Sequence, residues 1–322
     1  MGILTIFLIL FPMALAVVLR VLRQINPLSS SKNTVTKWIS FAGAALMLLG
    51  TAMISIRWLM LGAKSINLLF SMENIDYFVF AAECMLMIWL ASMSFRRGRY
   101  ITAIFAFLSF ATLAFLQLYG YVLECGSFIY LNWANVFVMI CMAAGFGYLI
   151  IYSAKKGEKF IPALFLLMGA MYGVALTTSI LWMHLFWTLS GIAAFWVIDG
   201  KAGHDESCSF RILCINLFGA TVMAVGISIF SYRSGYSNLN MIMDYVVNWD
   251  VKYAIAAAIL FLIAGLTLAG QIPVFTWIKS GKASEDEIKS LIKVQRIFVP
   301  MNAGVILIVR IISEYLIMRS QL

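Results

Sequence analysis

Two ionisable side chains lie inside long apolar runs of the sequence, where an unpaired charge is costly. Glu83 is the one acid in the middle of a predicted span, in FVFAAECMLMIWL, and His184 lies in SILWMHLFW. Ionisable groups in such places default to a functional hypothesis, and a carboxyl or imidazole there suits proton transfer. The alternatives are a protonated Glu83 bonded within the bundle or touching a neighbouring subunit, and a His184 satisfied by another helix.

Glu83 and His184 are candidates for a proton path, and a further polar residue at helical spacing can extend it. Thr188 lies four residues after His184, so the two side chains share one helix face and form a weak polar site. Arg310 and Glu314 have the same spacing and are predicted to form a buried ion pair.

Two further polar residues have plainer interpretations. Arg57, beside Trp58, either pairs with Glu83 or extends to the membrane interface, and the interface is favoured. Asn216 is expected to hydrogen-bond between helices.

The composition requires a membrane to surround these residues. Of the 322 residues 63% are hydrophobic and 11% charged, and the mean hydropathy is +0.96. Such a chain is an all-α polytopic membrane protein, with about ten spans by the length that a bilayer requires. The spans are predicted near 3–22, 38–62, 76–95, 100–118, 132–153, 160–178, 180–198, 210–232, 251–272 and 299–318.

The net charge of +9 is an orientation signal rather than a nucleic-acid site. Lys and Arg collect in alternate loops, as in the Arg96, Arg97 and Arg99 cluster and the Lys155 and Lys156 pair. Positive loops stay on the cytoplasmic side. We therefore expect a multi-pass protein of the cell (inner) membrane with both termini on the extracytoplasmic side.

Covalent chemistry is not indicated by any motif. The five cysteines show no CxxC spacing and have no partner histidines, and the sequence contains no Walker loop, nucleophile elbow or dinucleotide-binding turn. We expect no catalytic residue, no metal and no cofactor, and the chain itself is interpreted as non-catalytic.

A helix break is predicted within 251–278, where an apolar run meets Gly270, Gln271 and Pro273. Proline cannot continue the helical hydrogen bonds, and lipid offers no water to replace them. Such a break is tolerated only inside protein or beside a wet cavity, so this helix is predicted to be discontinuous.

Three stretches resemble one family. They are Gly265…Gln271-x-Pro273-x-x-Thr276-Trp277 with Ser290-Leu291-Ile292…Ala303-Gly304-Val305…Arg310, then 164–198, and 210–230. Together they resemble the antiporter-like membrane subunits of respiratory complex I, membrane-bound hydrogenases and multisubunit sodium/proton antiporters. The resemblance implies two regions: N-terminal transmembrane helices in 1–131, and an antiporter-like core of one half repeat in 132–322 with a cytoplasmic amphipathic segment at 284–298.

In that family the broken helix is thought to line a proton half-channel, with a buried lysine before the break and a glutamate on the fifth helix. Here Thr188 takes the place of the glutamate, and Leu268 takes the place of the lysine. Lys293, or Arg296, matches the eighth-helix base. The resemblance therefore implies a scaffold that is kept while its proton-handling pair is missing.

These observations favour a membrane-arm subunit of a complex I-like or energy-converting hydrogenase-like assembly, structural or coupling in role. Its partners would be other membrane-arm subunits and the lipid bilayer, and electron transport, as in an NADH-quinone oxidoreductase, would belong to those partners. One alternative is active proton or sodium translocation through Glu83, His184 and Lys293. Another is an independent secondary transporter, against which the lack of a second repeat counts.

Overall fold

The computed structural model describes residues 1–25, 30–68, 73–118, 129–156, 160–199, 206–235, 238, 239, 241, 251–268, 306, 310 and 312. Within them lie nine long helices and two short strands. The helices are α1 (Gly2–Ile25), α2 (Ser30–Met60), α3 (Glu73–Arg96), α4 (Tyr100–Leu118), α5 (Trp133–Lys156), α6 (Ile161–Leu176), α7 (Ile180–Asp199), α8 (Glu206–Ser234) and α9 (Val251–Leu268). The strands are β1 (Ile66–Leu68) and β2 (Ile129–Leu131).

The helices confirm the predicted all-α membrane class. Five described segments are long and apolar enough to cross a bilayer, and four shorter helices are also apolar. The number of ten spans is not confirmed, because all but three residues of the predicted span at 299–318 lie outside the described residues.

Four loops meet at one end of the bundle, which we call the loop end. They are the α2–α3, α4–α5, α6–α7 and α8–α9 connections, the loops that the sequence predicted to share the extracytoplasmic side. Backbone contacts connect these loops, and the pairs are Ile66 with Leu131, Ile129 with Thr177, Ser179 with Asn238, and Thr178 with Leu239.

Basic side chains mark the opposite end, which we call the basic end. The Arg20 guanidinium lies 4.2 Å from the centre of the Trp196 ring, joining the end of α1 to the end of α7. The Arg97 guanidinium lies 5.6 Å from the centre of the Phe210 ring, near the start of α8. Alternation of the loops is therefore observed, whereas the membrane side on which each end lies stays a prediction.

Helix α6 forms the centre of the bundle and is buried along nearly its whole length, between α1, α5 and α7. Its small residues Gly169 and Gly173 permit this, as small residues four apart do in membrane helices. A Cβ at Gly169 would lie 2.8 Å from the Ile9 carbonyl oxygen of α1. A Cβ at Gly173 would clash with the Phe186 ring of α7.

The Gly169→Ala substitution is expected to destabilise the bundle by about 1–3 kcal/mol, the usual cost of overpacking. The added methyl group meets backbone, which cannot turn away as a side chain can. The control is Gly147→Ala, whose Cβ would meet only the flexible end of Leu48 at 3.3 Å. Thermal unfolding in mild detergent measures both variants, and equal melting temperatures would contradict the close packing of α1 and α6.

Candidate functional site

A hydrogen-bonded acid and base connect three helices in the interior. Oε1 of Glu83, on α3, contacts Nδ1 of His184, on α7. Nε2 of His184 lies 2.9 Å from the Ala220 carbonyl oxygen, on α8. Both side chains are fully buried. We call these two side chains the Glu–His pair.

The bond to Ala220 fixes the arrangement of hydrogens on the imidazole. A carbonyl oxygen only accepts hydrogen bonds, so Nε2 of His184 must carry a hydrogen and donate it. The remaining bond, between Nδ1 and Glu83, then contains one proton in a neutral pair. That proton lies either on the carboxyl, which donates to a neutral imidazole, or on Nδ1, which gives a carboxylate and an imidazolium.

Glu83 lies near the middle of α3 and Ala220 near the middle of α8, whereas His184 lies one turn after the start of α7. Glu83 is separated from Arg96, at the basic end of α3, by about 20 Å of helix at the α-helical rise. One turn from Glu83 toward the loop end lies Phe80, and one turn toward the basic end lies Met87. Glu83 is therefore more than two helical turns from either end of α3.

Apolar clusters lie on both sides of the pair. The loop-end cluster contains buried Leu113, Leu181 and Ala224, with Phe80 packed against them. The basic-end cluster is larger, with Met87, Leu90, Ala106, Ile192, Phe195, Phe210, Leu213 and Leu217. Residues one turn from Glu83, His184 and Ala220 occur in these clusters, so apolar side chains separate the pair from the helix ends.

Two buried oxygens beside the pair have no hydrogen-bond partner among the described residues. One is Oε2 of Glu83, and the other is Oγ1 of Thr188, one turn from His184 toward the basic end. Buried polar atoms are nearly always bonded to protein or water, so each unsatisfied one calls for an explanation. Both oxygens therefore retain hydrogen-bonding capacity within the described residues.

Helix α9 packs against α8 directly beside the carbonyl that holds His184. A Cβ at Gly219 would clash with Oγ1 of Thr267, so glycine is needed for this approach. The Thr267 hydroxyl itself donates to the Ala264 carbonyl at 2.7 Å. The helix that leads to the predicted break therefore contacts the residue next to Ala220.

The predicted site residues fall into two groups. Glu83 and His184 are in contact, and Thr188 lies one helical turn from His184 on α7. Leu268 ends α9 as described, and its side chain lies outside the described residues. The remaining predicted positions also lie outside them: Gly270, Gln271, Pro273, Lys293 and Glu314.

Three other polar predictions can be compared with the structure. Arg57 is exposed in the last turn of α2, as extension to the interface predicts. Nδ2 of Asn216 donates to the Gly191 carbonyl at 3.4 Å and so joins α8 to α7. Arg310 is buried, and its Nη1 donates to the Val174 carbonyl at 2.9 Å, while its predicted pairing with Glu314 stays a prediction.

Sequence reasoning missed the direct contact between Glu83 and His184, and also the roles of Ala220 and Gly219. The available signal was the presence of one ionisable residue inside each of two separate apolar spans, since such groups tend to pair with each other. A backbone carbonyl gives no signal in the residue type, so the Ala220 acceptor was visible only in the fold.

The comparison with protein families gives one match. Residues 177–321 match the family described as NADH:quinone oxidoreductase/Mrp antiporter, TM. This range includes His184, Thr188, Ala220 and Leu268, whereas Glu83 lies outside it.

Curated relatives match similar lengths of the chain. A Na(+)/H(+) antiporter subunit of Alkalihalophilus pseudofirmus is 25% identical over 170 residues, which are 51% of this chain and 21% of that protein. The putative antiporter subunit mnhA2 of Staphylococcus aureus is 24% identical over 165 residues, 49% of this chain and 20% of that protein. The match thus spans about a fifth of the length of these relatives.

The resemblance found in the sequence is therefore confirmed over the helices α7, α8 and α9. Over residues 177–321, the chain is similar to the antiporter-like membrane subunits of the complex I and Mrp type.

Proposed function

We propose that the chain is an ion-translocating subunit of an antiporter-like membrane assembly, and that the Glu–His pair is its proton-binding site. The observation that carries the proposal is the fully buried contact between Glu83 and His184. This interpretation favours the active alternative of the sequence analysis over a purely structural subunit.

The charge balance of the pair supports a coupled role. The neutral pair contains one proton on the bond between the two side chains. A second proton gives a net charge of +1, and loss of the first gives −1; either leaves an uncompensated charge in an apolar interior, which is strongly unfavourable. Proton binding or release therefore requires a compensating movement of charge or water nearby, which neighbouring subunits would supply.

The position of the Glu–His pair in the sequence also supports the proton-binding role. Thr188 and Leu268 cannot titrate, although they occupy the places of the family's glutamate and lysine. Glu83 and His184 again provide one acid and one base on different helices, with His184 one turn from Thr188. We infer that the titrating pair has been relocated, with Thr188 as the next hydroxyl on the path and Lys293 as a candidate exit.

Apolar clusters on both sides give the site an occluded form. A proton can reach it only when water enters one cluster at a time, which is the condition for coupled rather than leaky movement. We propose that the assembly lies in the cell (inner) membrane with the loop end outside, and that redox chemistry, where present, belongs to partner subunits. The division of the chain near residue 131 remains part of this proposal.

A structural or coupling subunit is the second candidate. It is favoured by the loss of both titrating residues at Thr188 and Leu268. In that case the Glu–His pair would only join α3 to α7, and it would remain in one protonation state throughout turnover.

Replacing Glu83 with Gln separates the two candidates. The Gln amide can still donate a hydrogen bond to Nδ1 of His184, so the contact is kept while proton exchange is removed. We expect ion movement by the intact assembly in vesicles to be abolished while its assembly is unchanged. The control is Glu73→Gln at the start of α3, about 15 Å of helix away. Normal ion movement in the Glu83→Gln variant would contradict the proton-binding role and favour the structural or coupling role.

The contact itself can be tested by a double-mutant cycle on unfolding. Glu83→Ala and His184→Ala should each destabilise the protein, and their effects should be non-additive by about 0.5–3 kcal/mol, as for residues in direct contact. The reference cycle pairs Glu83→Ala with Thr51→Ala, because the Thr51 hydroxyl bonds to Met47 and Tyr172 and shares no partner with Glu83. Additive effects in the first cycle would contradict the pair.

The Thr188→Val substitution tests the proposed path beyond His184. Valine has nearly the shape of threonine, and the Thr188 hydroxyl has no partner among the described residues, so the melting temperature should fall little or rise. We expect ion movement to be slower although the variant is not appreciably destabilised. Unchanged ion movement would show that the Thr188 hydroxyl is not part of the proton path, and it would leave the proposal for the Glu–His pair in place.

A further inference from the structure

A groove runs between α3 and α4 at the basic end, away from the Glu–His pair. Its volume is about 580 Å³, and its walls include Phe95, Arg96, Tyr100, Ala103, Ile104 and Phe107. This volume is within the range of about 300–1,000 Å³ that is usual for sites of small ligands. The groove is therefore large enough for part of a ligand rather than only for water.

The walls of the groove are apolar and open outward. Phe95, Ile104 and Phe107 are each more than half exposed, at 64%, 55% and 59%. All three lie on helices that are apolar enough for a bilayer, so an exposed apolar side chain there meets lipid. Its lining residues on α4 include Tyr100 and Phe107, which lie about 10 Å apart along the helix, and an acyl chain can lie along this length.

The mouth of the groove is strongly positive. Arg96 lines it, and the segment SFRRGRYITA around it contains three arginines and no acid. Gly98, with φ +68°, makes the tight turn that places Arg96 beside the start of α4 at Tyr100. Backbone N–H groups at a helix start add further positive potential for an anion.

The neighbouring arginines are held against α8. The guanidinium groups of Arg97 and Arg99 lie 5.6 and 5.8 Å from the centre of the Phe210 ring. Positive charge is thus concentrated at the end of the bundle where the phosphate groups of one leaflet are predicted to lie.

We propose that this groove binds an anionic phospholipid, with the phosphate at Arg96 and the start of α4 and one acyl chain along Ala103, Ile104 and Phe107. An anionic phospholipid accounts for both features of the groove, the apolar walls and the arginines. A free anion would explain only the arginines, and a neighbouring apolar helix would explain only the apolar walls. The lipid site does not depend on the proposed role of the Glu–His pair, although one of its walls is formed by α3, the helix that carries Glu83.

The test uses phosphatidylglycerol with a photoreactive group in its acyl chain, and matched phosphatidylcholine, in membranes that contain the full chain with its natural partners. We expect phosphatidylglycerol to label residues 100–118 several-fold more than phosphatidylcholine. Arg96→Gln should lower this preference by about fivefold, the usual effect of one basic residue near a membrane surface. Ala103→Trp should reduce labelling by both lipids, because it fills the groove.

The control is Lys155→Gln, a basic residue of the same end that lies outside the groove, and it should leave labelling unchanged. Equal labelling by the two lipids would overturn the proposal in favour of bulk lipid. Loss of labelling in millimolar inorganic phosphate would overturn it in favour of a free anion. Cross-linking of Ile104→Cys to another chain, without lipid labelling, would overturn it in favour of a neighbouring helix.

Discussion

The arrangement of the interior depends on one constraint: ionisable groups in an apolar bundle must satisfy each other. Glu83 and His184 meet this constraint across α3 and α7, and the Ala220 carbonyl completes it from α8. Three helices are fixed relative to one another by two hydrogen bonds. The same bonds leave a proton that can belong to either side chain, and the proposed proton-binding role depends on that proton.

The fold supports the site from both ends. Backbone pairing joins the four loops at the loop end, and aromatic rings hold arginines at the basic end. Between them, glycines permit close contacts: Gly169 and Gly173 on α6, and Gly219 on α8 beside the Ala220 acceptor. Close packing of the helices around the Glu–His pair is what the proposed role would require, because a proton must not leak past its binding site.

Much of the fold could be predicted from the sequence, because hydropathy reports directly on membrane helices. The predicted span at 100–118 has the same bounds as α4, and the span at 180–198 differs from α7 by one residue. Alternation of basic residues predicted which loops share an end. Ionisable residue types inside apolar spans identified Glu83 and His184 as candidates. Their contact could not be predicted, because it depends on how α3 packs against α7, and neither helix has a one-sided apolar face that would show its orientation.

The Glu–His pair also changes how the missing family residues are understood. Considered alone, Thr188 and Leu268 in the places that the resemblance gives to the titrating pair suggest an inactive channel. The structure, however, contains an acid, Glu83, in contact with a base, His184, which lies one helical turn from Thr188. The central claim is that the carboxyl of Glu83 changes its protonation during ion movement. Infrared difference spectroscopy of the working assembly measures this change directly. We predict a carboxyl C=O band that appears and disappears with turnover and is absent in Glu83→Gln; a band that is the same in both proteins, or no carboxyl band at all, would contradict the claim.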